Sequence, residues 1–170
     1  MIEMKVSGIV LDPSTRSPIV ILRDVEERRA LMIWIGAPEA NAIMHALEKV
    51  KLARPATHDL FTNTLDHLKI KLDSVAITRM EESTFYAALN MSTKNPKGVE
   101  KMEIDARPSD AIALSLRANA PIFVSEEVMI SSSVPINPAQ EEKDSQEFKD
   151  FINQVRPSDF IRQAKGDSSS

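Results

Sequence analysis

Three apolar runs separated by turn residues open the chain, and they read as strands. Residues 1–12 are rich in Val and Ile and partly alternate with polar positions. Asp12-Pro13-Ser14-Thr15 marks a turn, and residues 18–23 (PIVILR) and 31–35 (LMIWI) follow. The connections are too short for crossover helices, so two antiparallel hairpins are expected. Beyond Gly36 the period changes. Between residues 38 and 50 the apolar positions Ala40, Ile43, Met44, Leu47 and Val50 recur at helical spacing. A second helix is expected over residues 58–69, with Thr57 as its N-cap and Leu60, Phe61, Leu65 and Leu68 as its buried stripe.

The β pattern returns over residues 70–80 and 84–92, joined by Glu81-Glu82-Ser83. It continues over residues 99–105, entered through Asn95-Pro96-Lys97-Gly98. Arg107-Pro108-Ser109-Asp110 then opens a short helix, residues 111–118, whose apolar residues lie on almost every side, which predicts burial. Residues 121–124 form a last short strand. The order of elements predicts an α+β domain over residues 1–131, a mixed or antiparallel sheet with packed helices. From residue 132 the chain turns polar, and 132–147 reads as a linker. Phe148, Phe151, Ile152 and Val155 recur at i, i+3, i+4 and i+7, which predicts an amphipathic helical segment over 148–165. Within it the tetrapeptide RPSD occurs a second time, at residues 156–159; residues 166–170 read as a disordered tail.

Composition narrows the function. The chain has 170 residues, with 21 Lys and Arg against 25 Asp and Glu, a net charge of −4. A strongly basic nucleic-acid module is thereby excluded. There is no cysteine, which removes disulfides, zinc fingers, iron–sulfur clusters and thiol catalysis together. Four glycines cannot build GxGxxG or a Walker A loop at any position in this sequence. The longest apolar run, residues 30–37, falls far short of the roughly 20 residues a membrane-spanning helix needs. The opening MIEMKVSG does not read as a signal peptide. A soluble cytoplasmic protein is expected.

Two clusters carry candidate chemistry. Arg54-Pro55-Ala56-Thr57-His58-Asp59 places a cation, an imidazole and a carboxylate at a helix start, where free backbone N–H groups favour an anion. Asp105-Ala106-Arg107-Pro108-Ser109-Asp110 places two carboxylates around one guanidinium and one hydroxyl, again at a helix start. If Asp105 and Asp110 converge, their oxygens suit a divalent cation. The structural reading of the same residues is that Thr57, Ser109 or Asp110 cap helices and that Arg107 pairs with Asp105. His45, His58 and His67 have no metal-ligand spacing, and no Ser lies in GxSxG.

Five ordered blocks make a resemblance visible: LMIWIGAPEANAI (31–43), RPATHDLF (54–61), STFYAAL (83–89), IDARPSDAIALSLR (104–117) and PIFVSEEV (121–128). Together the segment resembles the bifunctional nuclease domain family of bacteria and plants. The resemblance implies an α+β fold that dimerises, and activity on both RNA and DNA. The family's polar signature maps onto Glu39, Arg54, Thr57, His58, Asp59, Asp105, Arg107, Ser109 and Asp110.

Two functions follow from different classes. In a metal-assisted nuclease, Glu39, Asp105 and Asp110 would hold Mg²⁺ or Mn²⁺. His58, with Asp59 and Asp110, would be catalytic, and Arg54, Thr57, Arg107 and Ser109 would bind substrate. In a non-catalytic dimeric binding or regulatory module, the same residues would be caps and ion pairs around an anion-binding cleft. Burial of both Arg107 and Asp110 would favour the second; an open cleft would favour the first. His58 and Asp110, 52 positions apart, are expected in one cleft, because both follow Arg-Pro at a helix entry. A homodimer is expected, with Ile33, Trp34 and Ile35 offering surplus apolar surface.

Overall fold

The computed structural model describes residues 1–136 and the helical positions 146, 147, 149, 150 and 153. The apolar stripe at 148–155, the second RPSD and the tail lie outside the described residues.

Eight strands form one sheet: β1 (Ile2–Leu11), β2 (Pro18–Asp24), β3 (Arg29–Trp34), β4 (Ile70–Glu81), β5 (Thr84–Asn95), β6 (Gly98–Ala106), β7 (Ile122–Val124) and β8 (Ser133–Pro135). Their spatial order is β6-β5-β4-β7-β1-β2-β3-β8. The two antiparallel blocks expected from the sequence are thus one sheet, and the three residues of β7 join them. Met4 pairs with Ile122 on the antiparallel side, while Val75 pairs with the same residue in parallel. Ile122 and Val124 are buried, which explains why so short a strand holds its place.

Both edges are blunted. β6 is exposed along most of its length and carries Glu100, Lys101, Glu103 and Asp105. β8 is three residues ending in Pro135. Because β8 pairs with β3, the sheet runs past residue 131, into what reads as linker.

Four helices are present among the described residues: α1 (Ala37–Leu47), α2 (Thr57–His67), α3 (Pro108–Ala118) and α4 (Glu126–Ser132). α3 is the centre of the helical layer. Ala111, Ile112, Ala113 and Leu114 are all buried against the sheet and its neighbours, as its all-round apolar sequence predicts. It ends at Asn119, whose φ of 52° is the left-handed conformation an asparagine adopts at modest cost. α4 was not foreseen; Ser125 caps it, accepting from the Val128 N–H at 3.2 Å.

α2 departs from expectation in two ways. Its N-cap is Ala56, not Thr57; Asp59 at the third position reaches back and accepts the Ala56 N–H at 2.9 Å. Of its expected stripe only Leu65 is buried; Leu60, Phe61 and Leu68 are 60%, 40% and 58% exposed. The buried side of α2 is instead the line His58, Thr62 and Leu65, beside Asp59. Two polar bonds to α3 set that rotation, as described next.

Candidate functional site

The first turns of three helices meet around one guanidinium. Glu39 is the third residue of α1, His58 the second of α2, and Asp110 the third of α3. Arg107, at the N-cap position of α3, donates from Nε to Asp110 Oδ2 at 2.8 Å and from Nη2 to Asp110 Oδ1 at 3.2 Å. Its Nη1 donates to Glu39 Oε1 at 3.0 Å. On the other side of the same carboxylate, His58 Nε2 lies 2.8 Å from Asp110 Oδ1. The expected meeting of His58 and Asp110 is therefore direct.

The electrostatics are mutually reinforcing. Burial works to raise the Asp110 carboxyl, but hydrogen bonds from Arg107 and His58 outweigh it and hold Asp110 below its ordinary range. Hydrogen bonds to Asp110 and Glu39 raise the Arg107 guanidinium above its ordinary value. An ionised carboxylate only accepts, so the His58–Asp110 bond places the imidazole proton on Nε2. In the neutral imidazole Nδ1 is then the acceptor nitrogen, and no described residue bonds to it. A carboxylate that fixes the tautomer and direction of an imidazole is the arrangement of a general base.

The cluster is not sealed. The Arg107 side chain is 64% exposed and Asp110 30%. Arg107, Glu39 and Ser109 line a groove of about 490 Å³ whose other wall includes Trp34, Ile35 and Phe85. Gly36 sits where α1 begins, and a Cβ there would clash with Glu39 Oε2. The glycine gives the Glu39 carboxylate the room from which it reaches Arg107.

The remaining candidates separate from this centre. Asp59 has both oxygens engaged: Oδ1 accepts from Arg117 Nε at 2.6 Å and Oδ2 from the Ala56 N–H. The Arg117 bond and the Ala56 N–H hold its carboxyl below the ordinary value. Asp105 is exposed on β6, in register with Ala88, and bonds neither Arg107 nor Asp110. The expected Arg107–Asp105 pair is thus replaced by pairs to Asp110 and Glu39, because β6 ends at Ala106 and Arg107 already belongs to the N-cap of α3. Thr57 and Arg54 are exposed, and neither side chain forms a hydrogen bond or ion pair with a described residue. Neither Ser109 nor Asp110 caps α3, which starts without a side-chain cap bond. Among the described residues no three His, Asp or Glu gather closely enough to hold a metal ion.

The family model for the bifunctional nuclease domain matches residues 20–137, more than half of the chain. The chain belongs to the bifunctional nuclease domain family. An uncharacterized protein of Mycobacterium tuberculosis is 34% identical over 166 residues, covering 93% of this chain and 97% of the relative. Bifunctional nuclease 2 of Oryza sativa subsp. japonica is 28% identical over 136 residues, covering 78% of this chain and 41% of that protein. Bifunctional nuclease 1 of Arabidopsis thaliana is 26% identical over 121 residues, covering 70% of this chain and 37% of that protein. The chain thus spans well under half of these plant proteins.

Two residues of this bifunctional nuclease domain escaped sequence reasoning. Arg117 is 10% exposed, and its Nη1 donates to the carbonyls of Ala42 and Ala113 at 3.0 and 2.9 Å while Nε holds Asp59. One guanidinium therefore ties α1, α2 and α3 together. Its signal was present, as a lone cation in the apolar run AIALSLR, where it needed a partner. Trp34, expected as apolar surface for a second subunit, is half-exposed, lines the groove and donates from Nε1 to Asp12 at 2.9 Å. Its neighbour Ile33 is buried in the chain's own core.

Proposed function

We propose that the chain hydrolyses phosphodiester bonds of RNA, DNA or both at the His58–Asp110–Arg107 cluster, in the cytoplasm. The observation that carries the reading is the 2.8 Å bond between His58 Nε2 and Asp110 Oδ1, a carboxylate also held by Arg107, which lines an open groove. Membership in a family with plant relatives named bifunctional nuclease supports it. In the reaction, His58 Nδ1 takes the proton of the attacking water, whose oxygen bonds to phosphorus. The bond to the leaving oxygen breaks, and that oxygen takes a proton from solvent. The outward N–H groups of Arg107 stabilise the charge on the phosphoryl oxygens. Exposure of Arg107 favours this over a purely structural ion pair.

A divalent cation, Mg²⁺ or Mn²⁺, does not fit the residues named for it as they stand. Glu39 and Asp110 both bond the fixed positive charge of Arg107, and Asp105 lies elsewhere on β6. No step above runs through a metal.

The test is cleavage of labelled RNA and DNA strands by highly purified protein, with and without EDTA, beside His58→Ala and Asp110→Asn. Loss of a general base predicts a rate at least about 100-fold lower in both variants. Unchanged cleavage in both would overturn the assignment. Strand binding without cleavage by the wild type would favour the anion-binding module. A homodimer is part of the proposal, with the exposed Leu60, Phe61 and Leu68 of α2 as its contact; light scattering at twice the 18.9 kDa chain mass is the expected result.

A further inference from the structure

We propose that the groove beside Arg107 is a seat for an unpaired nucleotide, with the phosphate at the first turn of α3 and the base stacked on Trp34. The proposal rests on the nucleic-acid reading above and specifies the form of strand accepted.

The phosphate end is built from unspent donors. α3 begins without a side-chain cap, and Pro108 has no N–H to offer, so the amides of Ser109 and Asp110 are the open donors of its first turn. Ser109 is only 6% exposed, lines the groove, and its Oγ has no hydrogen-bond partner among the described residues. A buried hydroxyl without a partner is costly, and a groove-lining one is relieved by a ligand. Arg107 uses three of the five N–H bonds a guanidinium carries, leaving two at a side chain that is 64% exposed. Amides, hydroxyl and guanidinium of one short segment thus offer donors to one anion.

The other end is apolar and fixed. Trp34 is 53% exposed although it is the bulkiest side chain in the molecule. Its indole is anchored by the Nε1 bond to Asp12 Oδ2. Asp12 is itself held by Ser14 N–H, Ser14 Oγ and Thr15 N–H on its other oxygen, at 2.8, 2.6 and 3.1 Å. A ring held at its edge loses little freedom when something stacks on its face. Ile35 and Phe85 continue the apolar wall of the same groove. About 490 Å³ lies within the range of small-ligand sites and far below what a duplex requires.

One groove therefore offers anion donors at one end and an anchored aromatic at the other, which is the chemistry of a nucleotide. Stacking on an aromatic tolerates any base and any sugar, but it needs a base whose face is free. In a duplex that face is covered by the neighbouring pair. Single-strand selection follows, without a preference for RNA over DNA.

Because the chain contains one Trp, its emission reports on this position alone. The experiment titrates the whole protein with oligothymidylate, the same length of duplex, a strand of abasic sites, a thymidine monophosphate and inorganic phosphate, reading the quench at mixing. Single strand is expected to quench Trp34 and duplex to leave it unchanged. With a dye-labelled strand, Trp34→Ala should bind about tenfold more weakly and Trp34→Phe should recover most of the loss. The abasic strand should bind wild type as weakly as the intact strand binds Trp34→Ala, and lose nothing more on that variant. Melting curves confirm that both variants fold. Equal affinity for duplex and single strand, or full affinity in Trp34→Ala, would overturn the stacking seat while leaving phosphate binding standing. Inorganic phosphate binding as tightly as the mononucleotide or the strand would also overturn it, as a site for free anions. Emission that changes on dilution but with no oligonucleotide would assign Trp34 to a contact between copies. No binding of any probe would remove the nucleic-acid reading itself.

Discussion

α2 and α3 begin alike and are held in opposite ways. Each is entered through an Arg-Pro pair, Pro55 lying just before α2 and Pro108 opening α3, each carries an aspartate in its first turn, and the site is built from both. α3 is fixed by apolar burial through most of its length, Ala111 to Leu114 above all. α2 is fixed by two polar bonds, His58 to Asp110 and Asp59 to Arg117, and leaves three large apolar side chains in solvent. The rotation of a helix follows its apolar stripe only when burying the stripe outweighs the alternatives. Here two charge-assisted bonds near the start of α2, worth roughly 1.5–3 kcal/mol each, compete with that stripe. The helix carrying the imidazole is therefore turned by the groups that serve the site.

The contrast is broken most forcefully in the interior. Ile112 of α3 is fully buried, and Ile112→Ala should cost about 4 kcal/mol, from lost transfer energy and the cavity left behind. Arg117→Met should cost about 3 kcal/mol, because Asp59 keeps its charge with no partner and two carbonyls lose their donor. The two losses should differ in kind. Denaturant unfolding of Ile112→Ala should stay a single weakened transition. Amide exchange in Arg117→Met should rise first in α2, which the Asp59 bond no longer holds. Uniform exchange across all helices in that variant would show that α2 is not separately clasped.

How much of this was legible follows the same division. The strands, the buried α3 and the His58–Asp110 meeting are visible because periodicity and helix-entry residues are local signals. β7 as the parallel joint of two blocks was not, since three residues carry no register information of their own. The rotation of α2 was hidden because Arg117 lies 58 positions from Asp59, and no local pattern links them. Asp105 looked like a partner of Arg107 by proximity in sequence. A strand end and a helix start separated by one residue aim their side chains apart, and only the three-dimensional path shows it.

Acid should open the polar clasp before the apolar core. Asp110 and Asp59 both titrate below the ordinary carboxylate value in the folded chain. A depressed folded value means the unfolded state binds the proton first, so stability rises with pH through the acid range. The contribution is complete above the unfolded value near 4 and is lost as pH falls through the folded value. Melting temperature should therefore drop steeply below about pH 4 in the wild type. Asp110→Asn should show a shallower drop there. Parallel curves for the two proteins would place the acid sensitivity outside the site.

A smaller perturbation probes the site without loosening either helix. At Gly36→Ala the new methyl meets only the far end of Glu39, which can swing away. Stability should change by less than about 0.5 kcal/mol. Arg107 would keep Asp110 and lose Glu39, so it should present a less neutralised charge to the groove. Binding of a nucleic-acid strand should tighten by a few-fold and become more salt-dependent. Unchanged binding would mean that Glu39 does not modulate Arg107.

A modest effect on stability is expected where sequence alone would predict a large one. Leu60 and Phe61 stand in the apolar register of α2, and a helix packed by that register would lose several kcal/mol with both replaced by serine. In the structure they are 60% and 40% exposed, so only part of their surface leaves water when the chain folds. Leu60→Ser with Phe61→Ser should cost about 2 kcal/mol, most of it from the half-covered Phe61 ring and from the weaker helix propensity of serine. Measured at concentrations low enough to keep the chain monomeric, the double variant should melt a few degrees below wild type and keep the His58–Asp110 clasp. Measured at high concentration, it should lose the added stability that association through this face gives the wild type. A loss of several kcal/mol at every concentration would mean that the stripe is buried after all and that the clasp follows from packing.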